Sequence, residues 1–246
     1  MMRFNFIEHN PNTDLTPLIL LHGWGGSIRS LSALATELSN QIPNPIINLE
    51  LPGFGITPPD KEIMGTIDYA EFVYNFLKYK KIKNCILCGH SFGGKTSIAF
   101  ALKYPAHVKG MVLINSSGVK PQNTLKRKIF KTLAVLAPNR FRQNQLVRKI
   151  FYNKLVREND YLNAGKLKHT FQKVVVEHFD NKLQNIKTPT LIIWSEKDKS
   201  VPLFMATTLH KKISNSKLIV VPEETHGFPL HNPVKVAELI TNYLKS

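Results

Sequence analysis

Short apolar, β-branched runs recur along the chain and alternate with longer amphipathic stretches. The runs are Leu18–Leu21, Ile46–Leu49, Ile86–Cys88, Met111–Ile114, Leu191–Trp194 and Leu218–Val221. Several are apolar at nearly every position, the pattern of parallel strands covered on both faces. Phe4–His9 supplies one more strand ahead of them, for about seven in all. Between the runs, helical spacing predicts helices over Ser30–Leu38, Asp68–Tyr79, Phe92–Tyr104, Pro202–Ile213 and Pro233–Leu244. Asp68 with Glu71 reads as a capping box. Pro105 ends the third helix, and Pro202 and Pro233 suit a first turn. Strand alternating with helix predicts an α/β fold built on a mostly parallel, doubly wound sheet.

One segment breaks the alternation. From about Lys120 to Lys182 no buried strand is evident, and basic helical stretches run around Ile129–Leu136, Leu146–Val156 and Leu162–Val176. A helical insertion after a strand of such a sheet would sit over the strands' C-terminal edge, where ligands bind. Residues 120–182 therefore read as a lid inserted into a core made of residues 1–119 and 183–246.

The chemistry is concentrated at that same edge. Gly89–Gly93 reads G-H-S-F-G, between the strand Ile86–Cys88 and the helix that begins at Phe92. A tight strand-to-helix turn in this context exposes the serine, so Ser91 is the expected nucleophile. A serine hydroxyl needs a base, and the base needs an orienting acid. Asp198 lies in the loop after Leu191–Trp194 and His226 in the loop after Leu218–Val221, in the chain order Ser, Asp, His. The rival acid is Glu196. Glu223 and Glu224 precede His226 on its own loop and are poorly placed behind its ring, and His231 reads as a surface or packing residue. The loop Ile114–Gly118, an alternative source of the acid, carries no carboxylate. Leu20–Gly26, L-L-H-G-W-G-G, is a glycine turn after a strand. The backbone N–H groups of Trp24 and Phe92 are the expected oxyanion donors, each worth about 3 kcal/mol of transition-state stabilisation. Gly23, Trp24 and Phe92 are expected to border the substrate, and His22 to brace the turn.

H-G-W-G-G, L-P-G-F-G (Leu51–Gly55), G-H-S-F-G-G, Asp198 and His226 together resemble the α/β-hydrolase superfamily over about Leu18–Tyr243. The first two motifs also resemble carboxylesterases that hydrolyse the methyl ester of a pimeloyl carrier protein. The resemblance implies an acyl-enzyme mechanism without metal or cofactor, acting on a carboxylic ester or thioester of a small or medium acyl group. Related carbon–carbon bond hydrolases of ring-cleavage products usually carry asparagine where this chain has His90, and use a tryptophan and an arginine near the lid, whereas residues 120–182 contain no tryptophan. They are the alternative reading. A non-catalytic ligand-binding member of the fold is the third.

Charge adds a possible partner. The 246 residues carry a formal net charge of +16, and about +12 of it lies between Lys120 and Lys173, in clusters such as Lys126–Lys128 and Arg148–Lys149. An acidic partner such as an acyl carrier protein fits this distribution. No nucleic-acid motif accompanies it. No apolar run approaches the ~18 residues that cross a bilayer, and M-M-R-F-N-F-I-E-H-N shows no signal-peptide pattern, so the expected location is the cytoplasm. Cys85 and Cys88 form C-x-x-C, but residues three apart on a strand face opposite ways, which excludes a shared metal or disulfide.

Overall fold

The computed structural model describes residues 2–122 and 165–246. Among them, seven strands form one sheet: β1 (Phe6–His9), β2 (Leu18–Leu21), β3 (Ile46–Leu49), β4 (Cys85–His90), β5 (Val108–Ile114), β6 (Thr190–Ser195) and β7 (Ser216–Val221). The order across the sheet is β1-β3-β2-β4-β5-β6-β7. β1 pairs antiparallel with β3, and each later pairing is parallel. The helices are α1 (Ile28–Gln41), α2 (Thr66–Lys80), α3 (Phe92–Lys103), α4 (Lys168–Val176), α5 (Phe204–Lys212), the single turn α6 (Phe228–His231) and α7 (Pro233–Lys245).

The continuous apolar runs are explained by burial on both sides. Along β2, Ile19 and Leu21 join a core with α2, α3 and α5, whereas Leu18 and Leu20 join a second core with α1 and α7. All four residues are fully buried. Cys85 and Cys88 divide in the same way, one in each core, and both are free thiols.

Three helix starts differ from expectation. α1 begins at Ile28, two residues before Ser30, with Ser27 as its N-cap. α2 begins at Thr66, so Asp68 occupies the third helical position and its carboxylate accepts the Gly65 N–H at 2.7 Å. Glu71 is not its capping partner but pairs with Lys103 of α3. α5 begins at Phe204, and Pro202 stands before it, its carbonyl accepting the Met205 N–H at 2.9 Å.

The chain just before and just after residues 120–178 lies side by side. Phe179 N–H donates to the Gly118 carbonyl and Lys120 N–H to Asp180 Oδ2, each at 2.9 Å. The expected helices around Ile129–Leu136 and Leu146–Val156 lie outside the described residues. Of the third, Leu162–Val176, the described part is a 3-10 turn at Gly165–Leu167 followed by α4.

Burial pushes both thiols up to about 12, which removes the reactive thiolate at neutral pH. The native protein is therefore expected to resist an aqueous aromatic disulfide reagent, with two thiols reacting once denaturant is added. Rapid labelling of the native chain would contradict the two-core arrangement.

Candidate active site

The turn after β4 places Ser91 with φ 53° and ψ −109°, a left-handed backbone conformation. Such a residue costs on the order of 1–3 kcal/mol and persists only where its surroundings enforce it. Here they do. Ser91 N–H donates to the Ile114 carbonyl, and the Ser91 carbonyl accepts from Ser117 N–H, both at 3.0 Å. α3 then packs directly on β2: a Cβ on Gly93 would lie 2.0 Å from the Leu21 carbonyl oxygen, and one on Gly89 would lie 2.4 Å from the Gly93 backbone. Neither position has room for any other residue.

Three strand ends converge on this turn. His226 Nε2 lies 3.0 Å from Ser91 Oγ, and His226 Nδ1 lies 2.7 Å from Asp198 Oδ2. Asp198 is buried, and its Oδ1 accepts the Ser200 and Val201 N–H groups at 2.7 Å each. A carboxylate taking three donors fixes the imidazole with its proton on Nδ1, leaving Nε2 to accept the Ser91 hydroxyl proton. The rivals are engaged elsewhere. Glu196 accepts the Glu223 N–H, Glu223 pairs with Lys197, and Glu224 accepts from Asn232. His231 is exposed in α6, its ring over Gly227.

Opposite Ser91, the glycine turn after β2 is braced from behind by His22. Its Nδ1 lies 2.8 Å from the Gly23 carbonyl, and its Nε2 accepts the Leu51 N–H at 3.0 Å. The ring is therefore neutral, with its proton on Nδ1. Glu50 holds the neighbouring loop: buried, it accepts from Asn5, the Ile56 and Thr57 N–H groups and the Thr57 hydroxyl. Burial alone would raise the Glu50 carboxyl, but these hydrogen bonds outweigh it and hold it below its ordinary value. Among the described residues, neither the Trp24 nor the Phe92 N–H donates to another backbone carbonyl. Gly23 lies against Ser91, since a Cβ there would meet Ser91 Cβ at 3.3 Å.

An aromatic cluster borders these amides. Trp24 packs its ring against Phe54, Phe92 and Phe171, with centroids 5.0, 5.3 and 5.0 Å away. Phe171 comes from α4, which is tied to the core at several points. Met64 N–H donates to Thr170 Oγ1 at 3.0 Å, Thr66 N–H to Glu177 Oε2 at 2.7 Å, and the buried Lys95 ammonium to the Val174 carbonyl. Phe54 was visible in L-P-G-F-G as a motif residue. Nothing local in the sequence marks Phe171 as a neighbour of Trp24.

The family model for the alpha/beta hydrolase fold matches residues 16–233. An uncharacterised hydrolase of Bacillus subtilis, YugF, is 27% identical over 98% of this chain and 94% of its own length. The pimeloyl-acyl-carrier-protein methyl ester esterase of Wigglesworthia glossinidia brevipalpis is 27% identical over 93% of each chain. Among solved structures, a hydrolase from Pseudomonas aeruginosa superposes with a TM-score of 0.75 at 17% identity, covering 100% of this chain and 98% of that one.

His22 gives the site a pH signature. Desolvation lowers it from its ordinary 6.5 to about 4, against the opposing pull of the Gly23 carbonyl and Glu50. A depressed folded value means that the unfolded chain takes up the proton first. The associated stability is therefore fully present above 6.5 and is lost as pH falls towards 4. Between about pH 7 and about pH 4.5 this amounts to about 2–3 kcal/mol. Urea unfolding at the two pH values should show His22→Gln losing about that much less than the wild type on acidification. Equal losses would contradict a buried neutral ring.

Proposed function

The chain belongs to the α/β-hydrolase fold family, and on that premise we propose that it is a serine hydrolase that cleaves a carboxylic ester or thioester of a small or medium acyl group. The observation that carries the reading is the hydrogen-bonded line Ser91–His226–Asp198 at the C-terminal ends of β4, β6 and β7. The esterase activity named for one relative aligned along nearly the full chain supports it.

In this reading Ser91 Oγ attacks the acyl carbonyl carbon as its proton passes to His226 Nε2. The carbonyl oxygen takes the negative charge and is held by the Trp24 and Phe92 N–H groups. Phe92 N–H is the first amide of α3, where the helix dipole adds to the stabilisation. The carbon–oxygen or carbon–sulfur bond to the leaving group then breaks, and the leaving group takes the proton from His226. Water attacks the acyl-enzyme, gives its proton to the same Nε2, and the acid departs as Ser91 recovers its hydrogen. Asp198 keeps the ring oriented and stabilises the imidazolium throughout. The aromatic cluster of Trp24, Phe92 and Phe171 beside these amides suits an apolar acyl chain, with Gly23 beside the reacting carbon.

A carrier-linked acyl group is the finer form of the proposal. The basic excess between Lys120 and Lys173 would attract an acidic carrier protein. Turnover of a carrier-linked ester is then expected to fall as ionic strength rises, while turnover of a neutral free ester stays level. Equal salt dependence for both would remove the carrier. For the hydrolase itself, Ser91→Ala is expected to abolish turnover of a p-nitrophenyl acyl ester with an unchanged circular dichroism spectrum. Turnover retained by that variant would overturn the reading.

A further inference from the structure

His226 is held not only through its ring. Its backbone carbonyl lies 2.9 Å from His90 Nε2 and 3.2 Å from Asn115 Nδ2. A carbonyl only accepts, so His90 carries a proton on Nε2. The Asn115 amide is oriented without ambiguity, because its Oδ1 accepts the Ser195 N–H at 2.8 Å. Its Nδ2 therefore faces the His226 carbonyl, the Thr225 carbonyl at 3.3 Å and Ser195 Oγ at 2.9 Å.

The placement of these two side chains is specific. His90 is the last residue of β4 and the neighbour of Ser91. Asn115 directly follows β5 and has φ 44°, a left-handed conformation that asparagine tolerates better than most residues. Ser195 ends β6. His226, by contrast, stands on a loop that leaves the edge strand β7 and is exposed at Pro222, Glu223 and Thr225. His90, Asn115 and Ser195 are all buried. Two buried donors from rigid strand ends thus grip the main chain of a residue on an otherwise exposed loop.

We propose that His90 and Asn115 are positioning residues for His226. By fixing its carbonyl they set the reach of the ring to Ser91 Oγ and to Asp198 before any substrate arrives. His90 also sets its ring beside that of His226, with centroids 4.9 Å apart. Because His90 is covalently next to Ser91, nucleophile and base are referred to the same strand end, and a shift of one is resisted by the other. The inference rests on the proposed catalytic roles of Ser91 and His226, but its geometric part is separable from them. A displacement of about 1 Å at such a site is enough to lower a rate ~100-fold.

The test uses the full-length protein with four substitutions. His90→Leu removes the donor and keeps an apolar filler. His90→Gln returns an N–H near the original Nε2. Asn115→Asp keeps the acceptor for Ser195 and tolerates the backbone angle, but turns a donor into an acceptor facing two carbonyls. Ser91→Ala serves as background for proton NMR of the His226 Nδ1–H, whose low-field signal reports the hydrogen bond to Asp198 without any turnover. For an ester substrate, His90→Leu and Asn115→Asp are expected to lower kcat by roughly 10- to 100-fold with KM little changed, and His90→Gln to recover most of it. In the Ser91→Ala background, the low-field signal should broaden or vanish with His90→Leu and with Asn115→Asp, and persist with His90→Gln. An unchanged signal in both damaging variants overturns the proposal, whatever the kinetics. A wild-type protein without ester turnover, but with the signal lost as described, overturns the hydrolase reading and leaves the positioning role standing. Should one damaging variant fail to fold, the other still decides.

Discussion

The left-handed turn at Ser91 is the constraint from which the site follows. A non-glycine residue at φ 53° is unfavourable in isolation, so the surroundings must hold it there. They do so through the carbonyl of Ile114 at the end of β5, the N–H of Ser117 just beyond, and an approach of α3 to β2 so close that Gly93 allows no side chain. The strain is distributed over three adjacent strands, and the fold around them is the means of keeping one hydroxyl raised above the sheet. The turn also leaves the Phe92 N–H at the start of a helix, so the serine and one candidate oxyanion donor are products of a single backbone feature.

Parallel strand order does the rest. β4, β5, β6 and β7 are consecutive neighbours, and their C-terminal ends lie along one edge. Residues 91, 115, 198 and 226, far apart in sequence, thereby come within hydrogen-bonding reach of one another's loops. The other side of the candidate site is built by β2 and β3, whose following loops meet through His22 and Leu51 and are held by Glu50. His22 and Glu50 are both buried but handled differently. The imidazole stays neutral because burial penalises its charged form more than the Gly23 carbonyl and Glu50 favour it. The carboxylate stays ionised because several donors converge on it.

The sheet was legible because burial on both faces leaves an unbroken apolar run. Leu18–Leu21 and Ile46–Leu49 could be bounded from sequence to the residue. Ser91, Asp198 and His226 stood out because a tight turn, an acid and a histidine each followed such a run. Helix starts were harder. The α2 cap is made by Gly65, which has no side chain to advertise it, with Asp68 reaching back from inside the helix. The loop Ile114–Gly118 was informative in sequence only for lacking a carboxylate. That Asn115 instead grips the His226 loop depends on contacts more than a hundred residues apart along the chain, which no local pattern records. The approach of Phe171 to Trp24 is of the same kind. The charged stretches Lys126–Lys128 and Arg148–Lys149 lie outside the described residues.

The central claim is that Ser91, buried though it is, is an activated nucleophile rather than an inert serine in a tight turn. A fluorophosphonate probe tests it most directly, because it phosphonylates a serine only where a base removes the proton and donors hold the phosphoryl oxygen. Intact-mass analysis followed by peptide mapping should find a single adduct on Ser91. The adduct should be absent in Ser91→Ala and form far more slowly in His226→Ala. No adduct on the folded wild-type protein, or an adduct on another residue, would contradict the account.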